Sequence, residues 1–332
     1  MWELTRACAL HCRHCRARAI RRREPGELDL GEIERVLEDM QTFAPRPTLI
    51  LTGGDPLERE DLSGIIRAAV GRGFAVAMAP SVTPRLTAEV VAAWAGLGVR
   101  AVSLSLDGPN PQVHDRYRGV PGTFAATLAI ARAVRASGLH LQINTAVAPL
   151  TAPTLPEVGE LVPALGARSW EVFFVIPTGR AGRSEMLDAA AQEAWLRWLA
   201  EYRRQVAFRV TAVGAPQFRR VTDGRRALDG PGRPAMREAQ GMLFINWAGE
   251  VHPSGYLPLS VGNVRDTSVV RLYRESPLFV GLRDPARLEG RCGACAFRAV
   301  CGGSRARAYA VSRNPWAEDP NCPERPETAR TA

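Results

Sequence analysis

The sequence contains no lysine, so arginine supplies all 43 basic residues behind its formal charge of +9. This absence is typical of codon bias in a GC-rich genome. It does not by itself indicate nucleic-acid binding, because the arginines are spread along the chain rather than gathered in an aromatic-rich patch. Arginine pairs with carboxylates through two parallel hydrogen bonds, so arginines in a pocket would suit a carboxylate-bearing substrate.

The sequence also lacks any apolar run of about 18 residues, and no transmembrane helix is therefore expected. Its first 25 residues are rich in arginine and contain no long apolar stretch, which argues against a secretory signal. Apolar residues make up 46% of the 332 residues, enough for a packed core and too many for wholesale disorder.

Cysteine is absent from residues 16–291, and the seven cysteines are confined to the two ends of the chain. An odd number disfavours a fully paired disulfide framework. Clustered cysteines without such a framework are typical of metal ligation in a reducing compartment. We therefore expect a cytoplasmic protein with a metal centre near each end.

Short β-rich segments alternate with longer segments of helical periodicity. The predicted strands are 1–5, 48–52, 74–80, 101–107, 141–147 and 170–177. The predicted helices lie near 30–43, 59–71, 87–96, 123–137, 156–164 and 185–204. This alternation predicts βα units and a parallel sheet, with the functional site at the carboxyl ends of the strands. Six units are too few for a closed eight-unit barrel, so we predict an α/β fold with a partial (β/α)6 barrel over residues 1–205.

The chain changes character after about residue 205. Residues 206–240 are predicted to be a linker or irregular segment, because 212–240 is rich in glycine, proline and arginine. The segment 242–255 predicts a β-hairpin that turns near Ala248 and Gly249. With the cysteine-rich tail, the hairpin predicts a small α+β extension over residues 241–332.

The first cysteine group directly follows the first predicted strand, with the spacing C-x3-C-x2-C formed by Cys8, Cys12 and Cys15. Three such thiolates can each bind one iron of a four-iron cluster, leaving the fourth iron without a protein ligand. An open coordination position is where a metal centre accepts a substrate or cofactor. The spacing alone leaves the alternative of a zinc or purely structural site, completed for zinc by a residue such as His11 or His14.

The segment TGGDP at 52–56 follows the second predicted strand. Gly53 and Gly54 allow the backbone to approach a ligand closely, and Pro56, after Asp55, fixes the turn into the next helix. By itself this sequence is also typical of an ordinary βα turn.

Polar residues follow the fourth and fifth predicted strands. By the two-residue period of a strand, Ser105 and Asp107 share one face, which we expect to be the barrel interior. Buried polar groups need partners, so these residues either contact a ligand or belong to a hydrogen-bond network or helix cap. Asn144 and Arg118 are weaker candidates, and Arg118 is expected to lie on the surface or to brace a loop.

The tail contains the other four cysteines, spaced C-x2-C-x5-C-x20-C: Cys292, Cys295, Cys301 and Cys322. Four thiolates are a complete ligand set for a second cluster or for zinc. Complete ligation would leave no iron open to a substrate, so a cluster here would serve as an electron relay.

Three segments, WELTRACALHCRHC, TGGDP and SLSLDGPNPQVHDRYRG, resemble the radical S-adenosylmethionine superfamily. The resemblance implies that the first three cysteines hold a [4Fe-4S] cluster whose open iron is chelated by S-adenosylmethionine. Electron transfer into the sulfonium would then give a 5′-deoxyadenosyl radical that abstracts hydrogen from a substrate.

The same resemblance implies roles for residues outside the cysteines. His14 is expected to lie near the adenine of the cofactor. The TGGDP segment is expected to receive the methionine ammonium group, with Asp55 as its acidic residue. Ser105 and Asp107 become candidate contacts to the ribose or carboxylate, and Asn144 is a further cofactor candidate. No residue is assigned as catalytic.

The tail, with its CGGSRARAYA segment, resembles the SPASM/Twitch extension of radical enzymes and is especially similar to enzymes of heme and heme d1 formation. This implies an auxiliary [4Fe-4S] cluster. Full SPASM domains usually carry further cysteines near the hairpin. Here Ser254 stands where one of them could be, so we expect one auxiliary cluster rather than two.

Our leading functional prediction is a radical enzyme that oxidatively modifies a carboxylate-bearing small molecule, for example by decarboxylating a tetrapyrrole propionate. Modification of a ribosomally made peptide is the alternative, disfavoured because we expect no N-terminal peptide-docking domain. The alternative from another class is a non-catalytic zinc or iron–sulfur scaffold. We also expect an electron donor such as flavodoxin or ferredoxin, and neither a membrane nor a nucleic acid as partner.

Overall fold

A computed structural model of the chain describes residues 1–228 and 237–325. Its strands are β1 (Trp2–Glu3), β2 (Leu49–Thr52), β3 (Val76–Met78), β4 (Ala101–Ser105), β5 (His140–Val147), β6 (Ser169–Phe174), β7 (Arg209–Val213), β8 (Phe244–Ile245) and β9 (Val251–His252). They form one sheet in the order β7-β6-β5-β4-β3-β2-β1-β8-β9. Strands β1 to β7 are parallel, and the described sheet is open rather than closed into a cylinder. The predicted α/β fold with a partial barrel is confirmed.

Helices lie between successive parallel strands along the chain, and further helices follow β7. They are α1 (Leu30–Met40), α2 (Leu62–Gly71), α3 (Ala88–Gly96), α4 (Pro111–Arg118), α5 (Thr123–Ala136), α6 (Leu155–Ala164), α7 (Ala189–Gln205), α8 (Gln217–Asp223), α9 (Val269–Glu275), α10 (Pro277–Arg283), α11 (Gly290–Ala294) and α12 (Arg305–Ser312). No helix in the described ranges has both the length and the apolar character needed to span a bilayer.

The two-residue period of the strands separates an apolar face from a polar one. On β4, Val102 and Leu104 are fully buried in the core between sheet and helices. Ser103 lies on the opposite face, where its hydroxyl donates to the Met78 carbonyl at 3.3 Å. Ser105 and Asp107 follow it on that inner face, as the alternation predicts.

The predicted linker over 206–240 is wrong for most of the described part of that segment. It contains β7, which pairs with β6 from Ser169↔Arg209 to Phe173↔Val213, and then α8. Composition suggested an irregular segment, but pairing with a preformed neighbouring strand outweighs weak local propensity. Residues 229–236 of the predicted linker lie outside the described ranges.

Helix α4 was also missed, although its signals are local. Asn110 caps it by accepting from the Val113 N–H at 3.1 Å, Pro111 occupies its first position, and Gly119 ends it with φ of 72°. The helix is short and strongly polar, which hides it from an analysis based on apolar periodicity.

The predicted hairpin is present, and it joins the sheet of the barrel. Strands β8 and β9 pair antiparallel, while β8 pairs parallel with β1 through Trp2↔Ile245. The extension makes a second attachment at α9, where the Asp39 carboxylate accepts from the Val269 N–H at 2.6 Å and the Ser268 hydroxyl at 2.8 Å. The C-terminal extension is therefore anchored on the first strand and first helix of the barrel.

Candidate active site

The loop with the first three cysteines begins directly after β1, at the carboxyl edge of the sheet. Each sulfur has a hydrogen-bond donor nearby. Cys8 Sγ accepts from the Leu10 N–H at 3.3 Å, Cys15 Sγ accepts from the Ala19 N–H at 3.4 Å, and Arg118 Nη1 lies 3.7 Å from Cys12 Sγ. Such donors stabilise the negative charge that thiolates carry when they bind metal. In the metal-free protein, burial raises the pKa of Cys8 to about 11.

Gly53 and Gly54 hold this loop in place. The Gly54 N–H donates to the Thr5 carbonyl at 2.7 Å, and the Asp55 N–H donates to the Ala7 carbonyl at 2.7 Å. A Cβ on Gly54 would collide with backbone oxygens of the loop, and a Cβ on Gly53 would lie 2.6 Å from the Thr5 carbonyl oxygen. Glycine is needed at both positions because the backbone of residues 53–54 runs in direct contact with the backbone of residues 5–7.

We expect Gly54→Val to unfold the cysteine loop, with a loss of about 3 kcal/mol or more in the free energy of unfolding. Iron bound at the first centre should fall with it. Denaturant unfolding and iron analysis of the purified variant measure both. The control is Gly96→Ala at the end of α3, where a Cβ meets nothing within 4 Å. It should leave stability unchanged or raise it by up to about 1 kcal/mol. Normal stability in Gly54→Val would show that the loop does not depend on this contact.

A second clamp comes from the loop after β6. The Arg180 N–H donates to the Cys15 carbonyl at 2.9 Å, and its side chain donates to the carbonyls of Cys12 and Ala19, each at 3.0 Å. Gly179 has φ of 68°, and a Cβ there would collide with the Cys15 carbonyl oxygen. No local sequence pattern predicts this clamp, because it joins residues about 165 positions apart in the chain.

Asp55 is fully buried beside the cysteine loop. Its carboxylate accepts from the Thr83 hydroxyl at 2.8 Å and from the Leu57 N–H at 3.2 Å, and burial raises its pKa to about 6. The adjacent Ser81 hydroxyl donates to the Gly54 carbonyl at 2.6 Å and lies 3.3 Å from Cys8 Sγ. Both carboxylate oxygens of Asp55 thus have protein partners, and lone pairs remain for a further donor.

A cavity with an internal volume of about 130 Å³ opens at the carboxyl ends of β4 to β7. Its lining includes His14, Ser105, Asp107, Arg118, Asn144 and Tyr256. The structure therefore brings together four of the predicted cofactor residues. The other four, Gly53 to Pro56, do not line this cavity and instead lie against the cysteine loop.

Asp107 and Arg118 connect the cavity to the cysteine loop. Arg118 Nε lies 2.7 Å from Asp107 Oδ2, and Asp107 Oδ1 accepts from the Ala146 N–H at 2.7 Å. Burial acts to raise the pKa of Asp107, but the Arg118 guanidinium outweighs it and holds the pKa below its usual range. The hydrogen-bond network anticipated for Asp107 is present. Arg118 is a bracing residue rather than a surface one, since its side chain is only 13% exposed.

His14 lies flat against Tyr117, with ring centroids 4.4 Å apart and planes at 8°. Burial lowers the pKa of His14 to about 4, so the ring is neutral. Among the described residues, neither His14 Nδ1 nor the Tyr117 hydroxyl has a hydrogen-bond partner. Buried polar atoms normally have partners, so this flat pair fits a site that receives a ligand with polar groups.

The four tail cysteines line a second, smaller cavity with an internal volume of about 20 Å³. Cys292 Sγ accepts from the Asp319 N–H at 3.3 Å, and Cys301 Sγ accepts from the Gly303 N–H at 3.4 Å. Burial raises the pKa of Cys301 to about 12 and that of Cys322 to about 11 in the absence of metal. Cys322 thus returns to the other three, as the tail spacing predicts.

Both cysteine groups supply thiolates, the ligands that hold iron–sulfur clusters. Within the described ranges, no three histidine, cysteine, aspartate or glutamate side chains are placed to hold one metal ion. A tetrahedral zinc ion needs its thiolates to converge at about 2.3 Å from one point, whereas a four-iron cluster binds each thiolate at its own iron. The donor atoms of both groups are of the kind that iron–sulfur clusters use.

A chain of polar contacts joins the two cavities. Gly214, which lines the large cavity, accepts from Arg307 Nη2 at 2.7 Å. Arg307 Nη1 lies 3.1 Å from Asp319 Oδ2, and the Asp319 N–H is the donor to Cys292 Sγ. Arg307 and Asp319 are both fully buried. No local sequence pattern predicts this link, because it depends on β7 and on the packing of α12.

The chain is similar to known proteins along nearly its whole length. Residues 2–162 match the Radical SAM superfamily. The AdoMet-dependent heme synthase of Oleidesulfovibrio alaskensis is 36% identical, over 98% of this chain and 87% of the relative. The pre-heme d1 synthase of Dinoroseobacter shibae is 28% identical, over 97% of this chain and 85% of the relative.

Solved structures share this fold. The structure of SuiB from Streptococcus suis bound to S-adenosylmethionine superimposes with a TM-score of 0.75 at 15% identity, covering 97% of this chain and 76% of SuiB. The chain belongs to the Radical SAM superfamily and is an enzyme that uses a [4Fe-4S] cluster with S-adenosylmethionine.

Proposed function

We propose that this enzyme oxidatively decarboxylates propionate side chains of an iron tetrapyrrole during heme formation. The observation that carries the proposal is the similarity to heme synthases at 36% identity along nearly the whole length of both chains. Loss of a hydrogen atom and of CO2 converts a propionate into a vinyl group and releases one electron. Such a reaction needs a place for hydrogen abstraction and a separate acceptor for that electron.

The proposal assigns the first requirement to the large cavity. Cys8, Cys12 and Cys15 would hold the cluster, which with S-adenosylmethionine supplies the hydrogen-abstracting 5′-deoxyadenosyl radical. His14, Ser105, Asp107 and Asn144 would contact the cofactor from the cavity wall. Gly53, Gly54, Asp55 and Pro56 would fix the cysteine loop against it.

The second requirement is assigned to the tail cavity. Cys292, Cys295, Cys301 and Cys322 would hold the auxiliary cluster, with no position left for a substrate. The buried link through Arg307 and Asp319 supports this role, because it places the tail site directly behind the wall of the large cavity. The electron leaving the substrate would be received there.

The test is anaerobic incubation of the reduced enzyme with S-adenosylmethionine and iron coproporphyrin III, followed by mass spectrometry. We expect CO2 release and porphyrins in which propionates have become vinyl groups, with 5′-deoxyadenosine formed in step. The matched control is the same porphyrin with its propionates esterified, which cannot lose CO2. Absence of decarboxylated product, with 5′-deoxyadenosine formed only when a peptide is supplied, would favour the peptide-modifying alternative.

We also propose that an acidic one-electron donor, a flavodoxin or ferredoxin, docks on the cysteine loop. Exposed arginines cover this loop at Arg13, Arg18, Arg21, Arg22 and Arg23. In the described ranges, Arg13 pairs with Glu185 and Arg23 with Glu27, while Arg21 and Arg22 form no ion pair. Uncompensated positive charge beside a redox centre attracts an acidic protein and speeds its association.

The double variant Arg21→Glu/Arg22→Glu should slow cluster reduction by flavodoxin about tenfold at low ionic strength, because steering would be reversed. Stopped-flow absorbance measures the second-order rate. The control is Arg132→Glu/Arg135→Glu, which makes the same charge change on α5 at the amino end of the sheet. Reduction by the small uncharged deazaflavin radical should be equal in all proteins. Equal flavodoxin rates in both double variants would refute this docking surface.

A further inference from the structure

Arg305, the first residue of α12, is 2% exposed and lies against the tail cysteines. Its Nε donates to the Gly303 carbonyl at 3.2 Å, and its Nη1 donates to the carbonyls of Pro315 at 3.0 Å and Ala317 at 2.6 Å. Its Nη2 lies 3.6 Å from Cys292 Sγ. The carbonyls fix the guanidinium in one position and leave Nη2 for the sulfur.

Within the described ranges, Arg305 forms no salt bridge with a carboxylate. Arg307 lies two residues further along the same helix and is also buried, but it is paired with Asp319 at 3.1 Å. Removing a cation from water is unfavourable unless nearby anions or dipoles compensate its charge. Backbone carbonyls are only dipoles, and the remaining hydrogen-bonding contact of Arg305 is Cys292 Sγ. The nearby Asp319 carboxylate is already paired with Arg307, so a cluster bound at Cys292 would supply further negative charge beside Arg305.

The backbone around Cys292 adds donors to the same charge. The Asp319 N–H reaches Cys292 Sγ and the Gly303 N–H reaches Cys301 Sγ. Gly303 has φ of 64°, and a Cβ there would lie 3.0 Å from Cys292 Sγ. This close approach is possible for glycine alone, and it holds the segment that carries Arg305 against the thiolates.

We propose that Arg305 is the buried counter-charge of the auxiliary cluster and raises its reduction potential, which makes it an electron acceptor. A fixed positive charge in a poorly solvated site favours the more negative, reduced state of a cluster. The proposal rests on the proposed assignment of the four tail cysteines, but not on the identity of the substrate. Arg305 is a positioning and charge-setting residue, since it contacts neither substrate nor S-adenosylmethionine.

The test is an EPR-monitored redox titration of the full chain, in a background where the first three cysteines are alanine so that only the tail cluster remains. Arg305→Met should shift the potential to a more negative value, and Arg305→Lys should restore most of the shift. The matched control is Arg298→Met. Arg298 lines the same cavity but is exposed, so solvent screens its charge and the potential should change little.

An unchanged potential in Arg305→Met with full iron content would overturn the proposal. If Arg305→Met fails to assemble the cluster, Arg305→Gln keeps a hydrogen-bond donor without the charge. Equal potentials in the lysine and glutamine variants would then overturn it, and so would failure of both to assemble the cluster. Assembly with lysine but not with glutamine would support it. A reducible cluster in the parent protein confirms the cysteine assignment separately, whereas zinc there would refute that assignment.

Discussion

Cys12→Ala should abolish production of 5′-deoxyadenosine while iron at the tail site is retained. The first centre has three thiolates for four irons, so none can be spared, and the same holds for Cys8→Ala and Cys15→Ala. Cys12 Sγ also lies 3.7 Å from Arg118 Nη1, so the substitution removes that contact, while the Arg180 hydrogen bond to the Cys12 carbonyl is retained. Anaerobic cleavage assays with a small reductant, together with iron analysis, measure both effects.

His11→Ala is the matched control for this experiment. His11 is exposed on the same loop and would complete a zinc site if the loop bound a single ion. For a cluster held by three thiolates, His11→Ala should retain iron and cleavage activity close to those of the unmodified enzyme. Loss of metal in His11→Ala, or normal cleavage in Cys12→Ala, would contradict the assignment of the first centre.

Cys295→Ala should separate the two centres. The unmodified enzyme should contain about eight irons, and this variant should lose about half of them. Cleavage of S-adenosylmethionine should continue without completed turnover, because the substrate electron has no acceptor. The tail should also loosen, because metal binding contributes to its folding and the cysteine thiols left without metal do not replace that contribution. Limited proteolysis between residues 285 and 325 would detect this loosening.

Ser254→Ala is the control for the tail. Ser254 stands where fuller extensions carry a cysteine, and its Oγ accepts from the Tyr256 N–H at 3.2 Å. If the tail holds one auxiliary cluster, Ser254→Ala should keep full iron and full product. Full iron and full product in Cys295→Ala instead would show that turnover needs no cluster at the tail.

The sequence predicted those parts of the molecule that depend on local pattern. Cysteine spacing grouped the four tail cysteines, which line one cavity, and the alternation of strands and helices predicted six of the parallel strands. The two-residue period placed Ser105 and Asp107 on one face, and the structure brings them to one cavity. These inferences succeed because each depends on residues that are close in sequence.

Features that depend on distant contacts were not predictable in the same way. Strand β7 is specified by its pairing with β6, and Gly214 at its end reaches the cavity only because that pairing exists. Arg118 resembles any surface arginine until α4 turns it toward Asp107. The closest neighbours of a side chain at Gly54 would be backbone atoms of the cysteine loop, a contact that no local pattern predicts. One sequence cannot reveal which distant backbone will approach.

The pairing of β8 with β1 has a consequence for how this enzyme can be divided. Strand β1 has only two residues, and its outer side is protected by β8, while the Met1 amino group donates to the Leu243 carbonyl at 3.0 Å. A fragment ending near residue 205 would present β1 as a bare edge strand, a template for aggregation. Chimeras that exchange auxiliary modules between related enzymes should therefore retain β8 and β9 with the barrel and join the partners after α10.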